Sequence, residues 1–87
     1  MMSLLQNKVV LITGASKGIG KATALMFAKE GAKLALIARN EQELILLKQE
    51  INNLGTVAEI FVGNVSDEAF VQSTIAASIN IFGTIDI

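Results

Sequence analysis

The stretch that decides the fold is Thr-Gly-Ala-Ser-Lys-Gly-Ile-Gly at residues 13–20. It follows the apolar run Val-Val-Leu-Ile at residues 9–12, which predicts a buried strand. The residues after Gly18 have the spacing of an amphipathic helix that ends near Gly31. A glycine-rich turn between a strand and a helix leaves backbone N–H groups free at the positive end of the helix dipole. The stretch therefore predicts a phosphate-binding turn, and the alternative is a tight turn that binds no ligand.

Strands and helices alternate along the rest of the chain. The further elements are strands at residues 33–38 and 57–63, helices that begin after Asn40 and after Ser66 or Asp67, and the start of a fourth strand at residues 85–87. This alternation predicts a parallel sheet with right-handed crossovers and helices on both faces. Over residues 1–87 we therefore expect an α/β fold, the N-terminal βαβαβα half of a single Rossmann-type domain plus the start of a fourth strand.

Each predicted helix has an apolar row that we expect to face the core. The rows are Ile19, Thr23, Met26 and Phe27, then Leu44, Leu47, Ile51 and Leu54, and then Ile75, Ile79 and Phe82. Asn40 is predicted to cap the second helix, with Glu43 as the reciprocal acceptor. Ile45 and Leu46 add apolar residues outside the second row, which indicates either a crowded core helix or a contact with another segment or subunit.

The composition excludes several classes of function. The net charge is −1 and the Lys and Arg residues are scattered, so neither nucleic acid nor an anionic membrane is an expected partner. The apolar run at residues 34–38 is far shorter than the roughly 18 residues of a membrane span, and a cytoplasmic protein is expected. The chain has no Cys and no His, which argues against disulfides and a metal site.

The sequence of the glycine turn resembles that of the short-chain dehydrogenase/reductase family, as do Ala38-Arg39-Asn40 and the segment from Gly63 to Asp67. The resemblance covers the whole chain and is close to bacterial 3-oxoacyl-carrier-protein reductases and their relatives. It implies that a dinucleotide cofactor is lined by Gly14, Ser16, Gly18, Ile19 and Gly20, with Asn64 and Val65 against the adenine. The family more often has Asp at the position of Asn64, and an amide also donates and accepts hydrogen bonds.

The charges after the second strand bear on the choice of cofactor. An NAD site places an acid about 20 residues past the glycine turn to hold the ribose 2′-hydroxyl, and this chain has Ala38 there. Arg39 comes next and Lys17 lies in the glycine turn, so two cations could converge on a 2′-phosphate. NADP(H) rather than NAD(H) is the expected cofactor. The alternative is that both cations are solvated surface charges.

By the same resemblance, the chemistry is hydride transfer between the nicotinamide and a carbonyl or alcohol, with a Tyr-x-x-x-Lys segment and a Ser. The chain contains no Tyr, so none of its residues is assigned a catalytic role. We expect the cofactor-binding portion of an NADP(H)-dependent oxidoreductase whose complete form is a homo-oligomer acting on a small carbonyl or alcohol substrate. Two alternatives stay open: a stand-alone nucleotide-binding or regulatory module, and a non-functional remnant of a truncated gene.

Overall fold

The computed structural model describes residues 5–87, so residues 1–4 of the predicted domain lie outside it. The elements in order are β1 (Val9–Thr13), α1 (Gly18–Lys29), β2 (Lys33–Ala38), α2 (Glu41–Asn53), β3 (Ala58–Val62) and α3 (Glu68–Phe82). The strands form one parallel sheet in the order β1-β2-β3. The predicted α/β class is confirmed, and each strand lies within one residue of its predicted bounds.

β2 is the central strand of the sheet and is buried on both faces. Its four residues from Leu34 to Ile37 have no solvent exposure. Val10 of β1 lies opposite Leu34 on one side, and Ile60 of β3 lies opposite Leu36 on the other. A strand with neighbours at both edges and helices on both faces keeps all its side chains from water. The continuous apolar run of β2 follows from this position.

α1 and α2 cover one face of the sheet. The core there joins Leu34 and Leu36 with residues of both helices: Ala24, Ala28, Leu44, Leu47 and Ile51. The predicted row of α2 is confirmed except at Leu54, the C-terminal cap, and Ile45 and Leu46 are exposed. In the predicted row of α1, Phe27 packs against the core. The prediction is wrong for Ile19, which is 86% exposed, and for Met26, which is 56% exposed. The fully buried positions of α1 are small alanines, which let the helix lie close to the sheet.

α3 turns a different row inward from the one predicted. Ile75 and Ile79 are exposed, whereas Thr74 and Ser78 are buried. The apolar residues of α3 lie on most sides of the helix, so their pattern does not identify one buried face. The buried Ser78 hydroxyl is satisfied locally, because its Oγ donates to the Thr74 carbonyl at 2.8 Å. Small side chains with internal hydrogen bonds can therefore occupy the buried row without an unpaired polar group.

Residues 85–87 extend the sheet's hydrogen bonding beyond β1. The N–H of Ile87 donates to the Val9 carbonyl at 3.1 Å, and the Ile87 carbonyl accepts from the N–H of Leu11 at 2.8 Å. The Asp86 carboxylate also accepts from the N–H of Val9 at 2.9 Å. These bonds follow the parallel pattern on the edge of β1 opposite β2. The predicted start of a fourth strand thus gives the spatial order 3-2-1-4 of a doubly wound sheet.

Replacement of Leu36 by Ala should lower the free energy of unfolding by about 2–5 kcal/mol, because it leaves a cavity at a fully buried position. Leu46→Ala is the matched control, since Leu46 is 58% exposed and its loss should change stability by less than about 0.5 kcal/mol. Urea unfolding of the full-length protein measures both values. Equal effects of the two substitutions would contradict the central position of β2.

Candidate cofactor-binding site

A cavity of about 410 Å³ lies at the carboxyl ends of the three strands. Ligands of open α/β sheets bind at this edge, because successive loops meet there. The cavity brings together the predicted site residues Gly14, Ser16, Lys17, Arg39, Asn64 and Val65. Gly18, Ile19 and Gly20 lie outside its lining, in the first turn of α1.

Gly14 and Gly18 have backbone conformations that favour glycine. Their φ angles are +62° and +54°, in the left-handed region where a side chain costs about 1–2 kcal/mol. A methyl group placed at either residue would meet nothing within 4 Å. Both glycines therefore shape the turn through their backbone angles, and they leave open space beside it.

Gly20 is required for a different reason, the close packing of α1 on the turn. A methyl group at Gly20 would collide with the Gly14 carbonyl oxygen and would lie 2.8 Å from the Gly14 carbonyl carbon. These are backbone atoms, so the helix itself would have to move. The contact seen here is internal to the protein, and a place for Gly20 beside the cofactor stays a prediction.

The N-terminus of α1 lacks the cap that the other two helices have. Lys17 holds the cap position without a side-chain hydrogen bond, and the first turn carries no acid. The Asn40 side chain accepts from the N–H of Glu43 at 3.0 Å in α2, and the Asp67 side chain accepts from the N–H of Phe70 at 3.1 Å in α3. Because no side chain within residues 5–87 caps α1 and its first turn has no acid to offset the helix dipole, its N-terminus is suited to an anion.

The two predicted cations lie at the cavity in different surroundings. Arg39 is exposed and forms no ion pair within the part of the chain that the structure describes. Lys17 is also exposed, but its Nζ lies 3.7 Å from Oε1 of Glu43 in the first turn of α2. The predicted reciprocal bond, in which the N–H of Asn40 would donate to the Glu43 carboxylate, is not among the hydrogen bonds of residues 5–87. Half of the predicted capping box is therefore formed, and Glu43 faces Lys17.

Asn64 is fixed by a local turn after β3. Its Oδ1 accepts from the N–H of Ser66 at 2.9 Å and from the Ser66 hydroxyl at 2.8 Å. The carbonyl of Asn64 accepts from the N–H of Asp67 at 3.0 Å. Because a backbone N–H can only donate, the amide oxygen is assigned to Ser66, and the amide nitrogen is the remaining donor of this side chain.

The cavity also includes four residues that were not among the predicted site residues: Ile37, Ala38, Asn40 and Gly63. Each lies at or just after the carboxyl end of a strand, and this position was the available signal. A methyl group at Gly63 would lie 2.5 Å from the Phe70 ring, so this glycine makes room for the start of α3. Asn40 serves both as the cap of α2 and as a wall of the cavity.

No cluster of His, Cys, Asp and Glu within residues 5–87 is arranged to hold a metal ion. The helices of the same residues are all too short or too polar to cross a membrane.

The glycine turn, the uncapped helix and the 3-2-1-4 order have the arrangement of a doubly wound, Rossmann-like α/β fold. The family model for short chain dehydrogenases matches residues 8–87. The chain belongs to this family, as its glycine turn predicts. A closer likeness to 3-oxoacyl-carrier-protein reductases stays a prediction.

Several relatives match most of this chain. Glucose 1-dehydrogenase of Gluconobacter oxydans is 44% identical over 82 residues, which cover 93% of this chain and 31% of that protein. NAD⁺-bound xylitol dehydrogenase has a TM-score of 0.91 at 36% identity, over 95% of this chain and 32% of that one. A metagenomic short-chain oxidoreductase in complex with NADP has a TM-score of 0.89 at 30% identity, over 94% and 37%. The chain thus spans about a third of the length of these relatives.

Gly20→Ala should destabilise the protein more than Gly18→Ala. An alanine in the left-handed backbone at Gly18 should lower the free energy of unfolding by about 1–2 kcal/mol. A methyl group at Gly20 overpacks against backbone atoms, and the loss should lie near the upper end of the usual range for overpacking, about 3 kcal/mol. Urea unfolding of both variants gives the order. If Gly20→Ala were as stable as the parent protein, the contact between α1 and the turn would not constrain the helix.

Proposed function

We propose that this chain is the cofactor-binding portion of an NADP(H)-dependent oxidoreductase that transfers hydride between the nicotinamide and a small carbonyl or alcohol substrate. One observation carries the proposal: the uncapped N-terminus of α1 lies at a cavity edged by Lys17 and Arg39, with no acid at the end of β2. Membership of the short chain dehydrogenase family supports the oxidoreductase chemistry.

The glycine turn supplies the pyrophosphate contacts in this proposal. N–H groups of Gly18, Ile19 and Gly20 begin α1 and have no capping side chain, so they can donate to phosphate oxygens at the positive end of the dipole. The open space at Gly14 and Gly18 lets the phosphate approach the backbone. The exposed side chain of Ile19 would cover the bound group.

Charge at the end of β2 supports NADP(H) over NAD(H). Relatives of this chain are known with NAD⁺ and with NADP, so family membership leaves the choice open. The apolar Ala38 is 7% exposed and offers no carboxylate to a ribose 2′-hydroxyl. Arg39 and Lys17 can instead form charge-assisted hydrogen bonds to a 2′-phosphate.

The loop after β3 is proposed as the adenine site. A dinucleotide with its pyrophosphate on α1 and its ribose beside Arg39 places the base farther along the same edge, towards β3. Val65 is 51% exposed and can pack on a flat ring, and the amide nitrogen of Asn64 can donate to a ring nitrogen. The proposal extends to a homo-oligomer, as the family resemblance implies, and to a cytoplasmic location.

Arg39→Met should weaken NADP⁺ binding by about 1.5–3 kcal/mol, or about tenfold or more, because one charge-assisted phosphate contact is lost. NAD⁺ binding should change little. The measurement is calorimetric titration of the full-length protein with each of the two dinucleotides. Lys21→Met is the matched control, since it also removes one cation. Nζ of Lys21 on α1 lies 3.8 Å from Oε1 of Glu50 on α2.

An unchanged ratio of NADP⁺ to NAD⁺ affinity in Arg39→Met would remove this residue from the 2′-phosphate site. An equal loss with both dinucleotides would mean that Arg39 acts on the shared part of the cofactor. An equal loss in Lys21→Met would point to general charge attraction rather than to a defined contact.

A polypeptide of residues 1–87 alone should oxidise no NADPH above background with ketones or a 3-oxoacyl thioester, because it has no Tyr to act as the proton donor. We also expect it to fold poorly, since its sheet has an exposed edge and apolar surface. The readouts are oligomer size, near-ultraviolet dichroism of its four Phe residues and turnover. Measured turnover would require another catalytic acid, and a compact monomer that binds NADPH without turnover would favour the binding-module alternative.

A further inference from the structure

The geometry points to Glu43 as a residue that sets cofactor preference by competing with the 2′-phosphate for Lys17. This inference rests on the proposed NADP(H) site and adds a residue that neither lines the cavity nor belongs to the glycine turn. Glu43 would lower the affinity for the phosphorylated cofactor and leave that for NAD⁺ unchanged.

The first step is the position of the carboxylate. Glu43 Oε1 lies 3.7 Å from Nζ of Lys17, so the ion pair joins the glycine turn to the first turn of α2 across one side of the cavity. Lys17 lines that cavity. The carboxylate therefore acts on a cation at the place where the proposed 2′-phosphate needs one.

The second step is that α2 does not need this carboxylate for its own cap. The cap bond runs from the backbone N–H of Glu43 to Oδ1 of Asn40, and it uses no side-chain atom of Glu43. The side chain is 31% exposed and is held near the positive end of α2, where an acid is favoured. A neutral replacement of equal size keeps the cap intact.

The third step is the strength of the competition. The Lys17 side chain is 77% exposed, and exposed ion pairs are weak, so a phosphate that carries about −1.5 to −2 charges can displace the carboxylate. The displaced pair still opposes binding, because its attraction is lost and a negative charge stays beside the phosphate. NAD⁺ has no such phosphate and leaves the pair in place. Arg39 forms no ion pair in the described chain, so the competition is expected at Lys17.

The test compares Glu43→Gln with Glu41→Gln in the full-length protein. Both residues lie in the first turn of α2 and both variants lose one negative charge, but Glu41 forms no ion pair within residues 5–87. Calorimetric titration with NADP⁺ and NAD⁺ is the readout, and thermal unfolding checks that the variants remain folded. Lys17→Met, alone and combined with Glu43→Gln, completes a double-mutant cycle.

We expect Glu43→Gln to tighten NADP⁺ binding about twofold to fivefold, the range that an exposed ion pair allows, with NAD⁺ binding unchanged and Glu41→Gln nearly without effect. In the Lys17→Met background the gain should disappear. Weaker NADP⁺ binding in Glu43→Gln, or a gain no larger than in Glu41→Gln, would overturn the inference while Lys17→Met still showed a phosphate contact. If neither Lys17→Met nor Arg39→Met changed NADP⁺ affinity, the proposed function itself would fail.

Discussion

The close approach of α1 to the turn after β1 fixes the position of the helix N-terminus relative to the sheet. The backbone of Gly14 lies where a side chain of Gly20 would be, so the helix begins directly against the turn. Ala24 and Ala28 continue this close packing along the buried face of α1. A small-residue row thus determines where the free N–H groups and the positive end of the dipole lie. The site depends on this contact more than on any charged residue.

The burial of β2 positions the charges of the site. The strand excludes water from Leu34 to Ile37, and exposure returns only at its carboxyl end, with Arg39 and Asn40. A charged residue in the run would have to be buried, which is costly without a partner, so the first cation stands at the edge of the sheet. The same register sets the ends of β1 and β3 beside it. One cavity edge therefore collects the turn, the cation and the amide of Asn64.

The sequence alone was sufficient for the parallel architecture, the strand bounds and the family, because apolar runs and glycines at turns are local signals. It was wrong for part of the α1 row and for Ile75 and Ile79 of α3. Helical spacing selected Ile19 and Ile75, whereas the packed rows contain alanine, Thr74 and Ser78, and small residues give a weak hydrophobic pattern. It also missed that Glu43 faces Lys17, since a capping box and an ion pair with a distant turn use the same side chain. Such competition between partners is decided by tertiary geometry.

The three helix N-termini divide between stability and binding. α2 and α3 are capped by Asn40 and Asp67, and a cap of this kind contributes typically about 1 kcal/mol. α1 has no side-chain cap, so its first turn is less stable than it could be. A phosphate at that end would provide the missing acceptors, and any ligand that binds only the folded state also stabilises it. Under the proposed function, folding stability and cofactor affinity would be linked through the same N–H groups, and an acid introduced at residue 17 as a cap would favour the helix and repel the cofactor.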